Sequence, residues 1–353
     1  MSKKMPEWLK KYYNSLWARY ENKPFTFKEV VKELGISKVM SVKILWELEK
    51  RGFVNKERSE TDYRARVYRL ISPDDIGFVI GIYSLVEKEK IGKQSLIEKF
   101  LLINEKLSYA LTGSHAAYYY HRYMFPPKVF EIKVKPGDEG KWIAFLTDEQ
   151  TRVFISDVIE KRKISNYVKL LHSIFPIDLI RAKTKEGYYI ERPEFLLIEL
   201  LERQTQTSMI EATAIILRKK NELKWFGENG IITLAEKLGI SRRFGFLLDA
   251  INFESIKPLI KEEVIEEVKK NVKGKSSEIF PMDDILYSRL RELRNKLVHQ
   301  ALLTSSEKEE LREMTEMLEG YKSLSEKWGL KVLLPREAIR KVLDDFGVKL
   351  AKK

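Results

Sequence analysis

Residues 26–54 read TFKEVVKELGISKVMSVKILWELEKRGFV, and this stretch decides the fold of the amino-terminal part of the chain. Thr26 is a good N-cap, and Glu29 follows it at the spacing of a capping box. Gly35 is a helix-stop signal, and Ser37 is a good cap for the helix that follows. The stretch therefore predicts two helices joined by a short turn.

The second of these helices is predicted over about residues 38–51 and ends at Gly52. The residues predicted to face inward from it are Val42, Leu45, Trp46 and Leu48. Working outward, residues 8–20 are predicted to form a preceding helix, because their apolar side chains recur on one face. Residues 53–56 and 64–70 are predicted to pair as a hairpin, since the second run alternates apolar and polar side chains.

Three helices followed by a hairpin resemble the winged helix-turn-helix family, with Leu-Gly-Ile-Ser at residues 34–37 and Leu-Glu-Lys-Arg-Gly-Phe-Val at residues 48–54. In such modules the second helix of the turn motif enters the major groove by its amino-terminal half. The resemblance implies DNA contacts from exposed polar residues there, and phosphate or minor-groove contacts from the wing. The expected DNA-binding residues are Lys38, Ser41 and Lys43 on the helix and Arg58, Arg64 and Arg66 on the wing. A winged helix used only for protein contact is the alternative.

The distribution of charge favours a polyanionic partner for this part of the chain. The 353 residues carry 65 Lys and Arg against 52 Asp and Glu, a net charge of +13. Residues 1–75 hold 17 of the basic and 11 of the acidic side chains, so a fifth of the length carries a net +6. Nucleic acid is the usual partner of a basic module, and a charged surface that serves only solubility is the alternative.

Composition excludes several classes of protein. The chain has no cysteine, which rules out a disulfide scaffold, cysteine zinc sites, iron–sulfur clusters and thiol catalysis. A hydrophobic content of 44% is enough to build cores, so wholesale disorder is excluded. The sequence shows no apolar run of membrane-spanning length and no signal-peptide core near its start, so we expect a cytoplasmic protein with no membrane partner.

A strand, a small turn and a helix are predicted in order over residues 107–123, and a further strand over 128–134. This order resembles a minimal nucleotidyltransferase core, in which a Gly-Ser turn binds phosphate and two acidic residues on the next strand hold Mg²⁺. The resemblance makes Gly113 and Ser114 the candidate phosphate-binding residues. Glu131 stands at the first acidic position, but Lys133 stands at the second and would repel a divalent cation. We therefore expect no metal, no cofactor and no nucleotidyl transfer.

The combination of a winged helix, the run Ala-Leu-Thr-Gly at residues 110–113 and a later strand-to-helix run at 188–201 resembles the AbiEi type of antitoxin and transcriptional repressor. The resemblance covers about residues 6–250. It implies repression of an operon and, where a cognate toxin exists, neutralisation of that partner. His115, just after the small turn, has two interpretations: a phosphate contact, or a polar residue at the start of a helix.

Residues 293–299 read LRNKLVH and resemble the Arg-x₄₋₆-His motif of HEPN domains, which are helical bundles that often act as dimeric, metal-independent endoribonucleases. The resemblance implies that Arg294 holds the scissile phosphate, that His299 is the general acid or base, and that Asn295 orients the phosphate or the imidazole. Three interpretations stay open: an active RNA-cleaving site, a HEPN fold without activity, and an exposed polar cluster in a structural bundle.

Helical spacing divides the faces of this carboxy-terminal helix. The stripe predicted to face inward comprises Leu286, Leu290, Leu293, Leu297 and Ala301. Val298 and Leu302 lie on the less buried side and are predicted to form the dimer contact. Ser306 and Glu309 are predicted to form the capping box of the next helix.

The sequence as a whole predicts an α+β, mostly helical chain of three domains. These are a winged helix-turn-helix domain at residues 1–75, a small α/β nucleotidyltransferase-like domain at 76–250 and a helical, HEPN-like bundle at 251–353. The expected function is that of a DNA-binding transcriptional regulator of the toxin–antitoxin or phage-defence kind, which acts as a homodimer on double-stranded DNA. The first alternative is a HEPN-type endoribonuclease with RNA as its substrate. A weaker alternative is a plasmid or viral origin-binding protein.

Overall fold

A computed structural model gives the arrangement of the chain, which is α+β and mainly helical. It describes residues 5–59, 65–77, 95–103, 106–124, 129–148, 151–155, 166–272, 279–280, 284–298, 302–332, 334 and 336–351. Packing divides the chain into two compact units, Met1–His115 with Pro126–Glu191 and Ala116–Phe125 with Arg192–Lys353. The predicted domain boundaries after residues 75 and 250 stay predictions. In the described part of the chain, no helix combines the length and the apolar character needed to span a membrane.

The first unit begins with the amino-terminal module, defined here as residues 5–77. Its elements are α1 (Glu7–Tyr20), β1 (Phe25–Thr26), α2 (Phe27–Leu34), α3 (Lys38–Lys50), β2 (Val54–Arg58) and β3 (Arg66–Leu70). The three strands form one antiparallel sheet in the order β1-β3-β2. The predicted order of three helices and a hairpin is therefore confirmed, and the short strand β1 is an addition that the sequence pattern did not predict.

The caps of α2 and α3 follow the sequence prediction. The Thr26 hydroxyl accepts a hydrogen bond from the Glu29 N–H at 3.4 Å, and the Glu29 carboxylate accepts one from the Thr26 N–H at 2.7 Å. Gly35 ends α2 with φ +59°, a left-handed conformation that glycine adopts without strain. The Ser37 hydroxyl accepts from the Met40 N–H at 3.3 Å and so begins α3.

The inward face of α3 differs from the prediction. Its buried residues are Ser41, Ile44, Leu45 and Leu48, whereas Val42 and Trp46, predicted to face inward, are exposed. The observed set has the i, i+3, i+4, i+7 spacing of one helical stripe, which the predicted set lacks. Ser41 is tolerated inside because its hydroxyl donates to the Ser37 carbonyl oxygen at 3.1 Å. The inward face of α3 is therefore set by the spacing of residues along the helix, and not by which of its side chains are apolar.

The amino-terminal module packs against the rest of the first unit at Gly52, which has φ +74°. A Cβ at this position would lie 3.1 Å from the carbonyl oxygen of Ile143 and 3.2 Å from the Cβ of Thr147. Only glycine permits so close an approach of two backbones. The module is thus in direct contact with the helix that carries Ile143.

A six-stranded mixed sheet forms the centre of the first unit, in the order β6-β7-β5-β4-β9-β8. Its strands are β4 (Tyr109–Thr112), β5 (Val129–Val134), β6 (Thr151–Phe154), β7 (Asn166–His172), β8 (Arg181–Lys183) and β9 (Tyr189–Glu191). The associated helices are α4 (Leu96–Ile103), α5 (Gly113–His121), α6 (Glu139–Leu146) and α7 (Ile177–Ile180). The strand, turn and helix predicted over residues 107–123 are confirmed as β4 and α5.

The second unit is mainly helical. Its helices are α8 (Pro193–Arg203), α9 (Gln206–Lys219), α10 (Ile231–Lys237), α11 (Ser241–Glu254), α12 (Glu262–Lys270), α13 (Asp284–Val298), α14 (Ser305–Gly320), α15 (Lys322–Trp328) and α16 (Arg336–Asp345), and β10 (Ile279–Phe280) pairs with β11 (Lys331–Val332). Helix α11 continues across residues 250 and 251, where a domain boundary was predicted. Buried Glu254 at its end binds Arg336 and Arg340 of α16, which fastens the two helices together.

His121, at the end of α5, is a buried titratable group of the second unit. Its Nδ1 accepts a hydrogen bond from the Tyr123 N–H at 2.8 Å, and among the described residues its Nε2 has no hydrogen-bond partner. Burial, assisted by the nearby Arg218 guanidinium, lowers the pKa of His121 to about 4. The imidazole is therefore neutral in the folded protein near pH 7.

We predict that His121 makes the folded state less stable in acid. Because its pKa is about 4 in the folded chain and 6.5 in the reference state, the unfolded state binds the extra proton between these values. The free energy of unfolding should fall by roughly 3 kcal/mol as the pH drops through that window. His121→Asn keeps a hydrogen-bond acceptor but does not titrate, so urea unfolding at several pH values should give it a flatter profile. Identical profiles for the two proteins would contradict the prediction.

Candidate nucleic-acid interface

The exposed face of α3 carries two of the three predicted DNA contacts. Lys38 and Lys43 are both exposed, and neither forms an ion pair within the described ranges. The Lys43 ammonium lies 5.8 Å from the ring centroid of Trp8, a cation–π contact that leaves its charge uncompensated. These two lysines occupy the first two turns of the helix, and so an anion approaching its amino-terminal half meets both.

Ser41, the third residue predicted on this face, is not part of it. Its side chain has 0% exposure, and its hydroxyl is already used by the Ser37 carbonyl oxygen. The prediction that Ser41 is an exposed DNA contact is therefore wrong. The sequence pattern treats serine and lysine equally as polar residues. In the structure, however, position 41 belongs to the buried stripe of α3, whereas positions 38 and 43 are exposed.

Two of the arginines on the hairpin strands, both predicted wing residues, lie opposite each other. Arg58 on β2 and Arg66 on β3 are exposed and occupy directly opposite positions in the antiparallel register. Side chains at opposed positions are neighbours on one face of the sheet. Arg64, the third arginine predicted on the wing, lies outside the described residues.

Four acidic side chains of the amino-terminal module form local hydrogen bonds or ion pairs. These contacts join Glu29 to the cap of α2, Glu33 to Arg19 at 3.6 Å, Glu47 to Arg51 at 3.0 Å and Glu57 to the Asn55 amide at 2.7 Å. These four carboxylates are thus engaged locally, whereas Lys38, Lys43 and Arg58 are exposed.

The small turn of the α/β sheet lies between β4 and α5, where it was predicted. Gly113 is buried and Ser114 is half-buried at the first positions of α5. His115 stacks on Phe130 of β5, with ring centroids 3.7 Å apart. This aromatic contact explains the position of the His115 ring without a phosphate ligand.

Each of the two positions that would carry the acidic pair takes part in an ion pair. Lys133 on β5 binds Glu191 of β9 with an N–O distance of 2.6 Å, and Glu131 lies 3.6 Å from the Lys169 ammonium on β7. Glu191 has 0% exposure and also accepts a hydrogen bond from the Thr112 hydroxyl. The arrangement places an ammonium where a paired carboxylate would be needed. Within the described ranges no group of three or more His, Asp or Glu side chains is placed to hold a metal ion.

Comparison with known proteins does not place the chain in a family. It matches no family model, and no curated protein resembles it closely enough to count as a relative.

The HEPN-like motif lies at the end of α13. Arg294 and Asn295 are exposed, while His299 lies outside the described residues. Leu293 is buried, as predicted. Leu297 is 52% exposed, so the inward stripe predicted along this helix is wrong at that position. Val298 and Leu302 are exposed, in agreement with their predicted side.

The neighbouring basic residues of α13 are neutralised by acidic partners, mostly on α14. Arg289 binds Glu310 at 2.8 Å and Glu292 at 2.7 Å, and Lys296 binds Glu307. Arg294, in contrast, forms no ion pair among the residues that the structure describes.

The predicted capping box of α14 is shifted by two residues. Thr304, not Ser306, exchanges the cap hydrogen bonds, and its partner is Glu307. The bond from Lys296, with that from the Thr304 N–H, lowers the pKa of Glu307 to about 2. Its carboxylate is therefore ionised near pH 7. Glu309, the predicted partner, binds Arg312 instead.

We predict that Lys133→Met destabilises the first unit by about 3–5 kcal/mol, because it leaves the Glu191 carboxylate buried without its cation. Lys169→Met is the matched control: its partner Glu131 is at 3.6 Å and less buried, so we expect a smaller loss. The double variant Lys133→Met with Glu191→Gln should regain most of the stability, since no buried charge remains. Urea unfolding measures all three, and equal losses for the two single variants would refute the assignment.

Proposed function

We propose that the chain is a DNA-binding transcriptional regulator whose amino-terminal module is a winged helix-turn-helix. The observation that carries the proposal is the exposed first half of α3, where Lys38 and Lys43 stand without acidic partners in the described part of the chain. In this arrangement α3 enters the major groove, and Lys38 and Lys43 reach phosphates at its edges. Arg58 and Arg66 of the hairpin contact the adjacent backbone. Double-stranded DNA is the partner that this charge pattern fits.

The remaining parts of the chain fit a regulator of the toxin–antitoxin or phage-defence kind. The six-stranded sheet with Gly113 at the start of α5 supports a nucleotidyltransferase-like domain of the AbiEi type, and the Lys133–Glu191 pair accounts for a loss of metal-dependent transfer. We propose a homodimer in the cytoplasm, with a cognate toxin as a further partner. An origin-binding protein would use the same surface of α3. The DNA sequence that the chain binds distinguishes this role from repression.

The proposal predicts salt-dependent binding to the DNA upstream of the protein's own gene. Each phosphate contact contributes about −0.9 to the slope of log affinity against log salt, so Lys38→Ala with Lys43→Ala should reduce the slope by roughly 2. The affinity should fall at least about tenfold at low salt. Fluorescence anisotropy with a labelled duplex measures both quantities.

The control for this experiment is Lys237→Ala with Lys257→Ala. Both are exposed lysines of the second unit, so this variant removes the same charge from a surface to which no DNA contact is assigned. It should bind the duplex nearly as the wild-type chain does. An affinity that is independent of salt, or equal losses in the two double variants, would overturn the proposal.

A second candidate function, RNA cleavage by the HEPN-like motif, is favoured by one observation. Arg294 and Asn295 stand exposed beside each other, and Arg294 forms no ion pair with a described residue, although Arg289 and Lys296 on the same helix are both engaged with glutamates. An uncompensated guanidinium is available to a phosphate. In this reading Arg294 holds the scissile phosphate, Asn295 orients it and His299 transfers the proton.

The nuclease candidate predicts cleavage of single-stranded RNA in the presence of a metal chelator. His299→Ala and Arg294→Ala should each slow the reaction by about 100-fold or more, because each removes a group that acts on the scissile phosphate. Arg291→Ala removes a different exposed arginine of α13 and should leave the rate unchanged. Gel analysis of a labelled RNA follows the reaction. No cleavage by the wild-type chain, or cleavage that persists in both active-site variants, would exclude this function.

A further inference from the structure

The outer face of α3 carries apolar side chains where solvent is expected. Val39 is 81% exposed, Val42 is 56% exposed and Trp46 is 48% exposed. They follow one another at i, i+3 and i+7 and so share one side of the helix. The opposite side buries Ser41. A polar residue inside and valines outside invert the usual pattern of an amphipathic helix, so the valines do not serve the core of the module.

Cationic side chains alternate with the valines on this face. Lys38 precedes Val42 by four residues, and Lys43 follows Val39 by four, so each valine has a lysine as its neighbour along the helix. The centre of a protein–protein contact is normally depleted of lysine. An apolar contact framed by lysines fits instead the floor of a DNA groove, where an apolar group lies between two rows of phosphates.

The major groove offers one apolar group to such a side chain. Thymine presents its C5-methyl group there, and none of the other three bases carries a methyl group. Valine has no hydrogen-bonding atom, so it cannot read the polar edge of a G·C pair. Its β-branched side chain has few rotamers, and little conformational entropy is lost when it is fixed against a methyl group.

We infer that Val39 and Val42 read thymine methyl groups in the major groove and so direct the protein to A·T-rich sites. This inference rests on the proposed DNA-binding function and adds its specificity. Lys38 and Lys43 contact phosphates and supply affinity that is independent of sequence. The two valines contact the bases that lie between those phosphates and so select the sequence. Trp46, one turn further from the amino end and covered by the Lys50 ammonium at 4.9 Å, lies outside the reading positions.

The test compares two duplex copolymers that differ in the methyl group alone. Alternating poly(dA-dT) carries the thymine methyl group, and alternating poly(dA-dU) lacks it. At about fourfold in affinity for each buried methyl group, loss of two should weaken binding by the wild-type chain about tenfold or more. Val39→Ala with Val42→Ala should bind the two copolymers with nearly equal affinity and keep the wild-type salt slope. Competition anisotropy at constant salt measures the ratio.

The matched control is Ile256→Ala, which truncates another exposed aliphatic side chain, 59% exposed and in the second unit. It should keep the wild-type ratio between the copolymers. Circular dichroism checks that the valine variant is folded, which we expect because both valines are exposed.

The outcomes separate the inference from the function on which it rests. If the wild-type chain binds both copolymers equally, or if the valine variant keeps the tenfold ratio, methyl reading is overturned and DNA binding stands. If the valine variant changes the sedimentation coefficient of the protein but not the copolymer ratio, the face is a contact between copies and the inference is overturned. If the wild-type chain binds neither copolymer nor the upstream duplex, the proposed function itself fails.

Discussion

The carboxylate of Glu191 is the constraint around which the first unit is organised. It is fully buried at the end of β9, and a buried charge of this kind persists only where a cation and hydrogen-bond donors surround it. Lys133 of β5 supplies the cation and Thr112 of β4 supplies a hydroxyl donor, so one side chain connects three strands of the sheet. The same residues stand where α5 begins. Lys133 therefore stabilises the arrangement of these three strands.

A second constraint acts within the amino-terminal module, where the small side chain of Ser41 lies against the core. Its burial fixes the rotation of α3 about its own axis, with Ile44, Leu45 and Leu48 on the same inward stripe. With that rotation Lys43, Val39 and Val42 face outward, and Lys38 is exposed in the first turn of the helix. The burial of Ser41 thus determines which side chains lie on the outer face of α3.

Local signals in the sequence were sufficient for much of the fold. Thr26, Gly35 and Ser37 act through their nearest neighbours along the chain, and alternation of side chains marks the strands, so the caps, turn and hairpin of the amino-terminal module could be predicted. The cap of α14 was misplaced by two residues, because Thr304, Ser305 and Ser306 are all possible N-caps and spacing alone does not choose between them. Predictions failed where partners are distant or where hydropathy and geometry disagree. The partner of Lys133 lies 58 residues away on β9, a separation that no spacing rule covers. Trp46 and Leu297 are apolar, yet each lies on an exposed side of its helix. Of the candidate interface, the sequence identified the exposed lysines of α3 but took Ser41 to be outside and Val42 to be inside.

The close approach at Gly52 has a mechanical consequence. At Gly52 the backbone of the amino-terminal module packs against α6 so closely that no side chain would fit between them. The module is therefore packed directly on the rest of the first unit, unlike a domain joined only by a flexible linker. The direction in which α3 points is fixed relative to the six-stranded sheet of the same unit. If α3 binds DNA as proposed, the duplex and the six-stranded sheet therefore hold one fixed orientation to each other.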